Sequence, residues 1–166
     1  MKRLPHSLTV AFVAAVFIVA TSNGAFGREK PLVNVDKEGV ILKGYDAVAY
    51  FKQNKAVKGD PKYSSKYEGA TYYFASEGDK AEFDKSPAKY APQYGGFCAY
   101  SMSKRRIASG DPNNFFIHKG KLYVCTTAAH LKEFSAKPDA NIQAADKNWE
   151  FYKVPSNPGF RRYFGS

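Results

Sequence analysis

The chain is poor in sulfur, in histidine and in long apolar runs. Cys98 and Cys125 are its only cysteines, and Met102 is its only methionine after the initiator. So small a cysteine count excludes a disulfide-dense scaffold and the paired CxxC spacing of zinc ribbons. Also missing are GxSxG, HExxH, a phosphate-cradling glycine loop and a dinucleotide fingerprint, which removes the usual routes to hydrolysis, phosphoryl transfer and hydride transfer. A thiol enzyme would need Cys98 or Cys125 beside His118 or His130, and their spacing does not favour it, so the sequence leans away from catalysis. Glu82 and Asp84 read as a solvated helix edge, not an acid/base pair.

One apolar run stands out, Leu8 to Ala20, about 13 residues and shorter than the roughly 20 that span a bilayer. Lys2 and Arg3 precede it, Thr21-Ser22-Asn23 break it, and Ala25 and Gly27 supply small residues for cleavage. That pattern predicts a signal peptide over 1–27 and a periplasmic or secreted chain beginning at Arg28, with no integral membrane segment. The remainder suits one domain able to bury a core without disulfides, expected as a monomer.

Against 15 acidic residues stand 25 basic ones, a formal +10. The basic residues are scattered apart from Lys104-Arg105-Arg106 and Arg161-Arg162, and no nucleic-acid-binding pattern accompanies them. The charge therefore points to solubility, to an anionic envelope surface or to a small anion, and not to nucleic acid.

Residues 28–38 form a lead-in, 39–152 the globular domain and 153–166 an irregular Pro- and Gly-rich tail. Val40 to Leu42 suit a short strand, Gly44 a turn, and Asp46 the start of a short helix through Phe51. "NKAVKGDPKYS" reads as a connector. Glu68-Gly69 turns into a strand over Thr71 to Phe74, and Ser76 with Asp79 opens a helix around Ala81 to Phe83 that Pro87 and Pro92 stop. Phe115 to Ile117 and Leu122 to Val124 form a hairpin. Thr127 to Ser135 and Ala140 to Tyr152 read as helices on either side of a break at Lys137-Pro138. No internal repeat or low-complexity tract is read. The mixture predicts an α+β fold, with short antiparallel strands packed on helices.

Together "GYDAVAYF", "YEGATYYFAS", "FDKSPAKYAPQYGGFCAY", "GDPNNFFIHKGKLYV" and "ADKNW" resemble the exported bacterial YHS-domain proteins from about Gly44 to Trp149. The resemblance implies a small α+β domain and, through distant similarity to metal-sensing and metal-chaperone modules, heavy-metal binding. Metal-handling relatives carry cysteines around the step that here reads "YYFASEGDKAEF", where this chain has Ala75 and Ala81. Ala47 stands where the family often has proline. Cys125 stands where exported relatives tend to have asparagine, and Met102 where they tend to have a small aliphatic residue.

The chemistry available is that of soft donors. Cys98 and Met102 would share a helical face if "CAYSM" is helical, and thiolate with thioether suits copper(I). Cys125, His118 and His130 complete the candidate metal set. Two alternatives stand beside it: a Cys98–Cys125 disulfide, closing a loop of about 28 residues and contributing about 3–4 kcal/mol, or two buried packing residues. Tyr90, Tyr94, Phe97 and Tyr100 crowd Gly95-Gly96, either as plain core or as the wall of a concavity for a small ligand.

Overall fold

The computed structural model describes residues 32–153. The predicted signal peptide, the start of the lead-in up to residue 31 and the tail from residue 154 lie outside the described residues.

Where a first strand was expected, Val40 and Ile41 make only single bridges, to Thr71 and Val35. The cause is the backbone that follows. Leu42, Lys43 and Gly44 take φ of 52°, 50° and 75°, a left-handed run that no strand can continue through. Asp46 then starts α1 (Ala49–Gln53) as expected, its Oδ1 accepting the N–H groups of Val48 and Ala49 at 2.8 and 3.2 Å. A hairpin follows, β1 (Asp60–Tyr67) antiparallel to β2 (Ala70–Phe74). β1 lies in and beyond the stretch read as a connector. Ser76 caps α2 (Glu77–Lys85), accepting the Asp79 N–H at 3.1 Å, and Pro87 opens the short α3 (Pro87–Tyr90).

A 3-10 turn over Gln93–Gly96 leads into α4 (Ala99–Ser103), the helix on which the Cys98 and Met102 reading depends. The second hairpin, β3 (Asp111–His118) with β4 (Lys121–Cys125), is the one expected, with β3 reaching further back. Thr127 caps α5 (Ala128–Ala136), and α6 (Pro138–Tyr152) closes the described chain. Small antiparallel hairpins packed on helices make this an α+β fold.

Contrary to the sequence reading, the fold is an internal repeat. The left-handed run Leu42, Lys43, Gly44 recurs at Tyr94, Gly95, Gly96, with φ of 53°, 57° and 82°. The parallel bridge Val40–Thr71 recurs as Pro92–Leu122, and the antiparallel bridge Tyr45–Lys58 as Phe97–Ser109. Each hairpin opens on Gly-Asp-Pro, slips register after that aspartate, and turns through two residues of positive φ, Glu68-Gly69 in one and Lys119-Gly120 in the other. Two successive positive φ values match the right-handed twist of the flanking strands. Ser76 and Thr127 cap equivalent helices, Phe83 and Phe134 pack on Tyr72 and Tyr123, and Pro87 and Pro138 open the helices that follow.

The repeats share walls. Along β4, Leu122 and Val124 face one apolar cluster with Tyr50, Tyr72, Phe74 and Phe83, while Tyr123 and Cys125 face a second with Cys98, Met102, Phe134 and Ala145. Burial on both faces makes β4 the central wall. The Tyr50 hydroxyl reaches across to donate to the Pro112 carbonyl at 3.0 Å, and its ring meets Phe115 edge-on at 4.8 Å. None of the helices among the described residues is long and apolar enough to cross a membrane.

Candidate functional site

The second repeat brings Cys98, Cys125 and His130 together where α4, β4 and α5 meet. Cys98 precedes α4, and its own N–H is fixed to the Ala108 carbonyl at 2.8 Å. Its Sγ accepts the N–H of Ser101 at 3.4 Å and of Thr126 at 3.3 Å. Cys125, the last residue of β4, is placed by the parallel bridge between Cys98 and Val124. Both cysteines are free thiols with no solvent exposure.

Three N–H or S–H groups aimed at one sulfur favour its anion. The Cys125 thiol donates to Cys98, and this bond, assisted by Ser101 and Thr126, draws the Cys98 thiol well below its ordinary value in spite of burial. The same bond, together with burial, pushes Cys125 up, although the Tyr100 and Ala99 N–H groups oppose it. The two sulfurs are thus polarised in opposite senses, the surroundings favouring the anion at Cys98 and the protonated thiol at Cys125. His130 lies on the open side, Nδ1 3.7 Å from the Cys98 Sγ, its ring 4.8 Å from that of Tyr100.

The other two candidates stand apart from this pair in different degrees. Met102 is one turn along α4, fully buried in the same apolar cluster. His118 sits at the far end of the β3–β4 hairpin, its Nε2 2.8 Å from Asp139, which also pairs with Lys119. Among the described residues no three His, Cys, Asp or Glu side chains converge into a ready cage for a metal ion. The chemistry on offer is therefore that of two adjoining sulfurs with an imidazole at their edge.

The repeat explains the socket. Asp46 is the equivalent of Cys98, and its Oδ2 accepts the N–H of Ala75, the equivalent of Thr126, at 2.8 Å. His130 has Asp79 as its counterpart, and Cys125 has Phe74. In the first repeat the socket is occupied structurally. Burial raises the Asp46 carboxyl, against three backbone N–H bonds, and the Asp79 charge adds to the rise. Burial would raise Asp79 too, but Lys52 at 2.8 Å and the Ser76 hydroxyl take it below the ordinary carboxylate range. Sequence reasoning missed this pairing, and Gly-Asp-Pro at 59–61 and 110–112 was the available signal.

Of the four aromatic residues around Gly95-Gly96, Tyr90, Tyr94 and Phe97 are buried in the apolar clusters, and Tyr100 is half-buried against His130. A cleft of about 480 Å³ nevertheless opens beside Gly95, lined by Tyr94 among others. In the Lys104-Arg105-Arg106 run, Lys104 lies over the Tyr100 ring and Arg105 over Phe151, so two of the three charges rest on the protein's own aromatics.

No curated protein and no solved structure matches the chain. Residues 48–94 match the family model of the YHS domain, so over that stretch, which begins at the residue before α1 and runs through the first hairpin into the turn before Cys98, the chain is similar to YHS-domain proteins.

Proposed function

We propose that the chain is an exported, monomeric binding module that captures a soft metal ion, copper(I) foremost, between Cys98 and Cys125 with His130 at the edge. The observation carrying this reading is the buried pair of free cysteines, with the Ser101 and Thr126 N–H groups aimed at the Cys98 Sγ and His130 Nδ1 3.7 Å from it. Copper(I) is satisfied by two sulfur ligands, so a third converging side chain is not required, and soft thiolate donors select it over harder ions. The YHS match supports the reading through the metal-handling associations of that family. Export rests on the leader pattern of Lys2, Arg3 and the apolar run Leu8 to Ala20. Binding a soft metal ion calls for both sulfurs as thiolates, and the N–H groups aimed at Cys98 already favour its anion.

The test is an anaerobic copper(I) titration of the reduced protein against a colorimetric copper(I) chelator. One equivalent is expected to be retained. Cys98→Ser and Cys125→Ser should each abolish retention, His130→Ala should weaken it, and His118→Ala should leave it unchanged. If the chelator strips copper(I) as readily from wild type as from Cys98→Ser, the reading is wrong.

A further inference from the structure

The cleft beside Gly95 lies against the end of α3, where the two repeats differ in length. α3 ends after four residues, whereas its equivalent α6 runs for fifteen. The chain leaves the helical path at Ala91 and Pro92 to begin the second repeat, and the space that a longer α3 would cover stays open. Its volume of about 480 Å³ falls within the range of small-molecule sites.

Aromatic rings from four separate elements line it: Tyr67 from β1, Tyr72 from β2, Tyr94 from the 3-10 turn and Trp149 from α6. The Tyr94 hydroxyl is engaged, donating to Asp146 at 2.9 Å, and Trp149 meets the Tyr94 ring edge-on at 6.0 Å. At the hairpin end Tyr67, Glu68 and Tyr72 line the cleft together, and burial, followed by the Glu68 charge, raises both tyrosine hydroxyls. Glu68 is held there by the positive φ of the β1–β2 turn, 44°, and it has no ion-pair partner among the described residues. Among the described residues Lys153 is the one cation on the lining, and Glu150 already holds it at 2.7 Å.

We propose that this cleft binds a small organic amine with a flat apolar body, the body lying between Tyr72 and Trp149 and the ammonium facing Glu68. Aromatic faces and an unpaired carboxylate both attract a cation, and the rings supply apolar area for the body. The site is separate from the sulfur pair and does not depend on metal binding.

Trp149 is the only tryptophan in the chain, so its emission reports on the cleft directly. The full chain is titrated with phenethylamine, with 2-phenylethanol as a neutral analogue and with phenylacetate as an anionic one. Phenethylamine is expected to change Trp149 emission saturably, and to bind about tenfold more tightly than either analogue, the difference one charge-assisted contact supplies. Glu68→Gln should remove that advantage while leaving 2-phenylethanol unaffected. Ala88→Phe, which fills the cleft from its wall, should abolish the response to all three. A saturable response to phenylacetate equal to that of phenethylamine, an unchanged preference in Glu68→Gln, or no saturable response in a folded protein would each overturn the proposal.

Discussion

Replacing Cys98 by alanine tests whether the socket around it is built for an anion. The substitution removes the acceptor for the Ser101 and Thr126 N–H groups and for the Cys125 thiol. Hydrogen bonds to a charged acceptor contribute about 1.5–3 kcal/mol each, and the diffuse charge of a sulfur acceptor puts these at the lower end. Two of them set the expected loss at about 3 kcal/mol, a large share of the roughly 5–15 kcal/mol that holds a domain together. Cys98→Asp should recover at least half of that, because Asp46 already shows a carboxylate in the equivalent socket, bonded to Ala75, Val48 and Ala49. The measurement is urea unfolding of wild type and both variants at constant slope, read as the shift in midpoint. A loss below about 1 kcal/mol in Cys98→Ala, or a Cys98→Asp no more stable than Cys98→Ala, would refute the anion socket.

Two further outcomes follow from the geometry. Gly110→Ala should destabilise by about 1–3 kcal/mol, because the new Cβ meets the Val124 side chain at 2.4 Å and the Gly96 carbonyl at 2.7 Å; thermal unfolding compares it with Gly39→Ala, where only the positive φ of 79° opposes the change and about 1 kcal/mol is expected. In the unfolded chain both thiols titrate near about 8.5, while the fold lowers Cys98 and raises Cys125. Between the lowered Cys98 value and about 8.5 the unfolded chain holds more protons than the folded pair, so stability rises with pH; above about 8.5 the unfolded chain has lost both while Cys125, raised by the fold, keeps its own, so stability falls. Urea midpoints across this range, with a Cys98→Ala/Cys125→Ala protein as baseline, should show a maximum in the difference, and a flat difference would count against the opposite shifts of the two thiols.

What the sequence revealed was local. The Lys119-Gly120 hairpin, the Ser76 cap and the helical start at Asp46 are each written in adjacent residues, and each is found. β1 was hidden because its strand is polar, carries Pro61, and has no fully buried residue to give it a period. The repeat was hidden for a different reason. Its equivalent core positions keep burial but neither identity nor size, as with Leu42 and Tyr94, Tyr50 and Met102, or Phe74 and Cys125. The sequence could offer Cys98 with Cys125 only as one alternative among several, because the two meet through a strand pairing that the intervening hairpin creates. His118 and His130 looked interchangeable as letters, and only the fold separates the one at the hairpin tip from the one beside the thiolate.

The shared wall between the repeats bears on how the chain folds. A fragment ending at Ala91 would hold nearly all of the YHS match, yet it would leave Tyr50 without the Pro112 carbonyl and the Phe115 ring, and the first apolar cluster without Leu122 and Val124. Those contacts join residues far apart in the sequence, so the first repeat completes its core only after the second hairpin has formed. Synthesis from the N-terminus therefore delivers an unfinished hydrophobic surface first, and the molecule folds as one cooperative unit instead of as two successive ones.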